Sequence, residues 1–301
     1  GSIDSWNTDP TCFITNAFIL DPGTVSASMP VKVIEADGTL DTIVNKDEYR
    51  EALKYLNKLY SEDLIYEGTF TQKNEQLRQI ALEEEMPILF FAGGANVNVL
   101  NAAIAPEIYE NYVAVPPLTG PEGVKQSTHF KYFPIQTRRF AITKDCKYPE
   151  AAARVADFFF TTEGQLQSYY GVKGTDWDDA DEGKLGIDGK PAVYKVHSLY
   201  SDEPQNVDWQ DAGVPYLTSE FRLGEQVPDD IEDKLMTQAG LEVFLFRETN
   251  EKYAPYASKD ANVPPNLLFL PEESQQLQTL AVELQKYMEE SRIAFITGKM
   301  D

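Results

Sequence analysis

The sequence predicts an α/β protein, on three observations. Short extended runs flank Asp-Gly pairs in the manner of hairpins. Apolar residues elsewhere recur at helical spacing behind helix-start signals. The two patterns are mixed along the 301 residues, with no internal repeat and no low-complexity tract.

The elements follow in chain order. Residues 12–20 are apolar with no clear period. Asp37-Gly38 lies between the extended runs 31–35 and 39–44, which predicts a hairpin. Asn45-Lys46-Asp47-Glu48 reads as a capping box with Asn45 as N-cap. Behind it Tyr49, Ala52, Leu53, Leu56, Leu59 and Tyr60 predict an amphipathic helix over 46–62. Thr71 is the expected cap of a second helix ending near Leu82. Residues 86–92 have strand length and composition, and Gly93-Gly94 stops them. A short helix is expected over 96–104. Residues 113–128 are rich in Pro and Gly and read as a crossing segment or linker. Residues 140–143 read as a strand.

Pro149 opens a helix at its first position, running to about Phe160. A further helix over 163–170 stops at Gly171. Asp188-Gly189 marks a second hairpin, residues 201–230 are irregular and acidic, and 232–249 read as helical. Pro271-Glu272-Glu273 begins a long helix with a stripe of Leu277, Leu280, Ala281, Leu284, Tyr287 and Met288. The close of the chain soon after Gly298 suggests truncation, and Gly1-Ser2 reads as the scar of a tag.

Composition sets the class. Hydrophobic residues are 42%, charged residues 25% and aromatic residues 12%, enough apolar area to offset chain entropy. The net charge of −23 repels phosphate backbones and anionic headgroups, so no nucleic-acid or membrane-surface partner is expected. A neutral small molecule is indifferent to that sign. No apolar run reaches the length of about 18 residues that a spanning helix needs, and the first residues are not a signal peptide. Cys12 and Cys146 form no metal motif, and two free buried thiols are expected ahead of a single bridge. With only His129 and His197, a multi-histidine metal site is excluded. Neither a metal nor any other cofactor is expected.

Few motifs carry chemistry. Gly93-Gly94 lacks the residues of a phosphate-binding loop and reads as a tight turn. The acidic cluster Asp176, Asp178, Asp179, Asp181 and Glu182 fails the calcium-loop pattern at Ala180, leaving a solvated hairpin as the default. No GxSxG or HExxH motif occurs, so catalysis has no positive support. Trp6, Trp177 and Trp209 each stand beside Asp or Asn, the combination that a sugar's apolar face and hydroxyl rim require. A loop tryptophan is equally a lid on the core, and that alternative stays open.

Several stretches resemble the extracellular solute-binding proteins of ABC importers, family 1, the group that includes maltose-binding protein. Residues 49–70 with Thr71-Gln72 are similar to the family's long helix and its continuation. Residues 140–144 with the Pro149-Glu150-Ala151-Ala152-Ala153-Arg154 helix are similar to the strand and helix after its third crossing. Thr162-Glu163-Gly164, residues 171–177 and residues 266–301 are also similar to family elements.

The resemblance implies a two-lobe fold of the periplasmic-binding-protein type II kind, with mixed sheets flanked by helices and the first lobe incomplete. It assigns 1–112 to the second lobe, 113–172 to the first as a crossing segment, and 173–301 to completion of the second. It implies an extracellular, lipid-anchored, monomeric receptor of a Gram-positive bacterium that docks on importer permease subunits. The ligand is a carbohydrate held in an interlobe cleft. The positions implied to contact it are Trp6, Phe13, Asn16, Asn96, Tyr132, Gln136, Arg138, Asp176 and Trp177. Trp6, Tyr132 and Trp177 are expected to stack on sugar rings. Asn16, Asn96, Gln136, Arg138 and Asp176 are expected to hydrogen-bond hydroxyls. The alternatives are a secreted glycan hydrolase using a carboxylate pair and a protein-interaction domain.

Overall fold

The computed structural model describes residues 1–5, 7–23, 32–35, 37–83, 88–100, 105–128, 140–197, 218–237, 240–258, 261–262 and 269–301. They fall into two compact units, Gly1–Phe130 with Glu248–Asp301, and Lys131–Arg247. The Pro-rich segment has no ladder of its own. Its carbonyls at Val115 and Ala114 accept from the Tyr253 hydroxyl (2.8 Å) and the Lys252 ammonium (3.1 Å). Ser127 Oγ donates to the Tyr253 carbonyl at 2.7 Å. Residues 113–128 are thereby strapped to the turns at 249–257 and belong to the first unit.

The first unit opens with helix α1 (Pro10–Thr15). Strands β1 (Lys32–Glu35) and β2 (Leu40–Thr42) form the expected hairpin, with Val33 opposite Asp41. Its turn works because Gly38 takes φ +85° and Asp37 Oδ1 accepts from the Thr39 amide at 2.9 Å. Strand β5 (Ala261–Asn262) adds antiparallel to the other edge of β1, giving the order β2-β1-β5.

Helix α2 (Asp47–Ser61) buries Tyr49, Ala52 and Leu56, the 3- and 4-residue spacing of one helical face. Asn45 is not its cap. It ends a 3-10 turn (Ile43–Asn45), and Lys46 occupies the cap position without capping the helix through its side chain, which reaches Asp41 Oδ2 at 2.6 Å instead. Leu56 packs with Ile65, Phe70 and Ile296 into one core. Helix α3 (Asn74–Ala81) starts after Lys73, whose amide donates to Gln76 Oε1 at 2.8 Å; Thr71 belongs to the turn before it. The expected strand at 86–92 is absent from the described residues 88–92, which run as an open loop with Leu89 95% exposed. A 3-10 turn (Asn96–Asn98) replaces the helix expected at 96–104, so far as its residues are described, and a short helix α4 (Pro106–Tyr109) follows.

The second unit carries α5 (Pro149–Phe158) and α6 (Thr162–Tyr169), where the Thr161 hydroxyl caps the Gly164 amide at 3.0 Å. Residues 140–143 are extended and exposed but pair with no strand. Strand β3 (Trp177–Asp179) pairs antiparallel with β4 (Tyr194–Val196), and Gly189 turns the chain between them at φ +77°. Residues 223–227 stitch onto this hairpin through Ile187, Val193 and Tyr194. Helix α7 (Ser219–Arg222) precedes them. The single helix expected over 232–249 is two, α8 (Ile231–Lys234) and α9 (Leu241–Glu248). The chain turns so tightly before α9 that a Cβ at Gly240 would lie 2.2 Å from the Lys234 carbonyl oxygen.

The last helix, α10 (Pro271–Ile296), returns to the first unit. It docks by its final turns, where Ile293 and Ile296 join the Leu56 core and Asn57 Nδ2 donates to the Ile296 carbonyl at 3.1 Å. That bond satisfies one of the acceptors that a helix end leaves over. No helix among the described residues is long and apolar enough to cross a membrane.

Candidate ligand-binding surface

The surface is built on α1. Asp9 precedes it, and its Oδ1 accepts from the Thr11 amide (2.9 Å) and hydroxyl (2.6 Å). Its Oδ2 meets Arg292 Nη1 of α10 at 2.8 Å. Burial is the largest influence on Arg292 and works against its charge, but Asp9 and the other neighbouring groups together outweigh it and the guanidinium stays firmly protonated. Burial raises the neighbouring Asp21 carboxyl to about 6, and the Gly23 amide pulls the other way. Burial likewise pushes the Cys12 thiol up, so this cysteine is an unreactive neutral group. Cys12 and Cys146 are both free, half-buried where full burial was expected.

This anchored helix presents Phe13 outward, against Phe90 of the open loop, with ring centroids 5.2 Å apart and planes at 46°. Both rings are half-buried. Further along the loop Phe91 meets Tyr112 at 5.3 Å, and the Tyr112 hydroxyl donates to the Ile88 carbonyl. Asn96 donates through Nδ2 to the Tyr109 hydroxyl and accepts the Val97 amide at 3.1 Å. Loop 88–98 is thus tied down by tyrosines while Phe90 and Phe91 stay partly exposed. Phe90, Phe91 and Tyr112 were not singled out from sequence. The signal available was the aromatic pair Phe90-Phe91, which a strand reading absorbs into a core.

In the second unit the Asp176–Trp177 loop has an inward role. Trp177 is 2% exposed, packs with Leu166 and Tyr194, and donates from Nε1 to the Gly171 carbonyl at 3.0 Å. Asp176 Oδ2 accepts from the Val172 amide at 2.6 Å and holds the turn. The acidic residues beside it have partners: Asp179 is ion-paired with Lys173 and Asp181 with Lys195, and Asp178 is hydrogen-bonded to His197. That is the solvated hairpin expected. Among the described residues no group of three or more His, Cys, Asp or Glu could hold a metal ion.

The nine sequence-predicted positions therefore separate. Trp6, Tyr132, Gln136 and Arg138 lie outside the described residues. Phe13, Asn16 and Asn96 stand in the first unit, Asp176 and Trp177 in the second. Two expectations are corrected. Trp177 offers no ring face for stacking, because Leu166, Tyr194 and Gly171 enclose it. Asn16 is 8% exposed and its amide is spent within the fold, donating to the carbonyls of Cys12 and Asp21 and accepting the Asp21 amide. Phe13, Asn96 and Asp176 remain partly exposed.

A family model described as bacterial extracellular solute-binding protein matches residues 20–166. That match takes in just under half of the chain. A curated relative of this group, the fructooligosaccharide ABC transporter substrate-binding protein FusA of Streptococcus pneumoniae, is 22% identical over 89% of the chain and 46% of its own length. The solved complex of FusA with kestose superposes on 98% of the chain with a TM-score of 0.66 at 20% identity, using 55% of the FusA chain. A solute-binding protein of Bifidobacterium longum infantis, described as binding HMO, gives 0.66 at 16% identity, covering 98% of this chain and 57% of that one. The chain thus has the α/β fold of solute-binding proteins and spans about half the length of those relatives.

Proposed function

We propose that the chain is part of the solute receptor of an ABC importer and that its solute is an oligosaccharide. The observation that carries this reading is the fold shared over 98% of the chain with FusA bound to kestose. The match to a protein described as binding HMO supports the same ligand class. A neutral sugar suits a chain whose net charge of −23 repels anions.

In this reading the rings of Phe13 and Phe90 take the apolar face of a sugar and Asn96 takes its hydroxyls, while Asp176 is proposed by itself as a hydroxyl acceptor of the second unit. Trp6, Tyr132, Gln136 and Arg138 belong to the same proposal. The receptor works outside the cell, lipid-anchored on a Gram-positive surface, as a monomer that presents its solute to permease subunits. It binds and does not cleave. Residues 1–112 and 173–301 are assigned to one lobe and 113–172 to the other.

The test is native mass spectrometry of the chain with a pool of fructo- and milk oligosaccharides. An adduct of one mass, with the pool intact, is expected. Shorter products accumulating with time would replace the receptor by a glycan hydrolase.

A further inference from the structure

The turn that carries Asn96 uses its own amides internally. The Ala95 amide donates to Asn98 Oδ1 at 2.7 Å, the Val97 amide to Asn96 Oδ1 at 3.1 Å and the Asn98 amide to the Ala95 carbonyl at 3.0 Å. With those three occupied, the turn does not offer them to an anion. Asn74 Nδ2, at the start of α3, pins the same turn through the Asn98 carbonyl at 3.1 Å.

The Asn96 side chain is held as well. The Val97 amide can only donate, so it settles which end of the Asn96 amide is oxygen. Nδ2 then donates to the Tyr109 hydroxyl, and Tyr109 is 1% exposed at the end of α4. A side-chain amide has two N–H donors and two acceptor lone pairs. Asn96 therefore keeps one of each, in a fixed plane, on a partly exposed residue. A hydroxyl group both donates and accepts and can use the two together, whereas a carboxylate or phosphate can use only the N–H.

We propose that Tyr109 is a positioning residue for ligand binding: its buried hydroxyl sets the plane of the Asn96 amide, so that the remaining donor and acceptor meet a neutral, hydroxylated ligand ready oriented. Affinity gains because the amide is ordered before the ligand arrives. The inference deepens the oligosaccharide reading and rests on it.

The test is calorimetric titration of the chain with fructo- and milk oligosaccharides, beside NMR of the Asn96 side-chain amide. In the parent the amide protons are expected to exchange slowly and to show a cross-relaxation contact with the Tyr109 ring. Tyr109→Phe keeps the ring and removes the hydroxyl, so exchange should quicken and affinity should fall about three- to tenfold. Asn96→Ala should lose at least as much. Adding Tyr109→Phe to it should cost less than about a further twofold, because the group that Tyr109 acts through is gone. An equal loss from Tyr109→Phe in both backgrounds would make Tyr109 a structural residue and overturn the proposal. Unchanged affinity in Tyr109→Phe, or a freely exchanging Asn96 amide in the parent, would overturn it too. An amide held as expected in a parent that binds none of the pool would overturn the sugar reading and leave the hold of Tyr109 on Asn96 standing.

Discussion

Arg292 Nη1 lies 2.8 Å from Asp9 Oδ2, a contact between side chains 283 residues apart. The same nitrogen reaches the Thr11 hydroxyl at 2.5 Å. One buried guanidinium thus fixes the base of the last helix to the first turn of α1, and the helix that carries Phe13 takes its place from it. Removing one member of a buried pair leaves an uncompensated charge, which costs about 3–5 kcal/mol. Arg292→Leu is therefore expected to lower the unfolding free energy of the first unit by that amount. The double variant with Asp9→Asn should lose clearly less than the two single losses added together. Denaturant titration of the four proteins checks this, and strict additivity would mean the pair is uncoupled.

Trp177 gives a second prediction, because its enclosed ring makes it a stability residue. Trp177→Ala should cost about 3–5 kcal/mol in unfolding free energy, the usual loss for a buried aromatic. Oligosaccharide affinity of the fraction that remains folded should stay within twofold of the parent. Calorimetric titration under stabilising conditions measures it. A large loss of affinity with unchanged melting would return Trp177 to the ligand surface.

Phe90 is the opposite case. Its ring is half-buried against Phe13 on an open loop, so truncation removes contact area rather than core. Phe90→Ala is expected to shift the melting temperature little and to weaken oligosaccharide binding by about 0.5–1.5 kcal/mol, the worth of an aromatic pairing. Affinity equal to the parent's would remove the Phe13–Phe90 pair from the proposal.

What the sequence made legible was local. Asp37-Gly38 specified its own turn, the spacing of Tyr49, Ala52 and Leu56 specified the buried face of α2, and Gly171 at φ +115° closed α6 as expected. Errors arose where a long-range contact decided the outcome. Residues 88–92 look like a strand in composition, but their backbone groups meet no ladder, and Tyr112 from a later segment fastens the loop instead. Residues 232–249 keep a helical composition across a break at which Gly240 comes close to the Lys234 carbonyl. The site was less legible than the fold for the same reason. Trp177 beside two acids has the composition of a sugar platform, and only its bond to the Gly171 carbonyl and its packing on Tyr194 show that it faces inward.

The last prediction concerns Glu225, 8% exposed beside Tyr170, Tyr194, Arg222 and Glu242. Burial, reinforced by the charge of Glu242, raises its carboxyl from 4.5 to about 7, against the pull of Arg222 and the Tyr170 hydroxyl. Its Oε2 has no hydrogen-bond partner, so an ionised carboxylate there would lack solvation. The sign follows. Below 4.5 the native and unfolded chains both hold the proton. Between 4.5 and about 7 the unfolded chain has lost it and the native chain keeps it, so stability falls as the pH rises. Above that window the loss levels off at about 3 kcal/mol, from a shift of some 2.5 units at 1.36 kcal/mol each. Asp21, raised from 3.8 to about 6, gives the first unit a similar slope in a lower window. The two separate experimentally because Trp177 reports on the unit that holds Glu225. In a chain with Trp6→Phe and Trp209→Phe, urea unfolding followed by the remaining tryptophan should show the decline between 4.5 and about 7. Glu225→Gln should flatten it and raise stability at neutral pH. A slope unchanged in Glu225→Gln would place the titrating group elsewhere in the second unit.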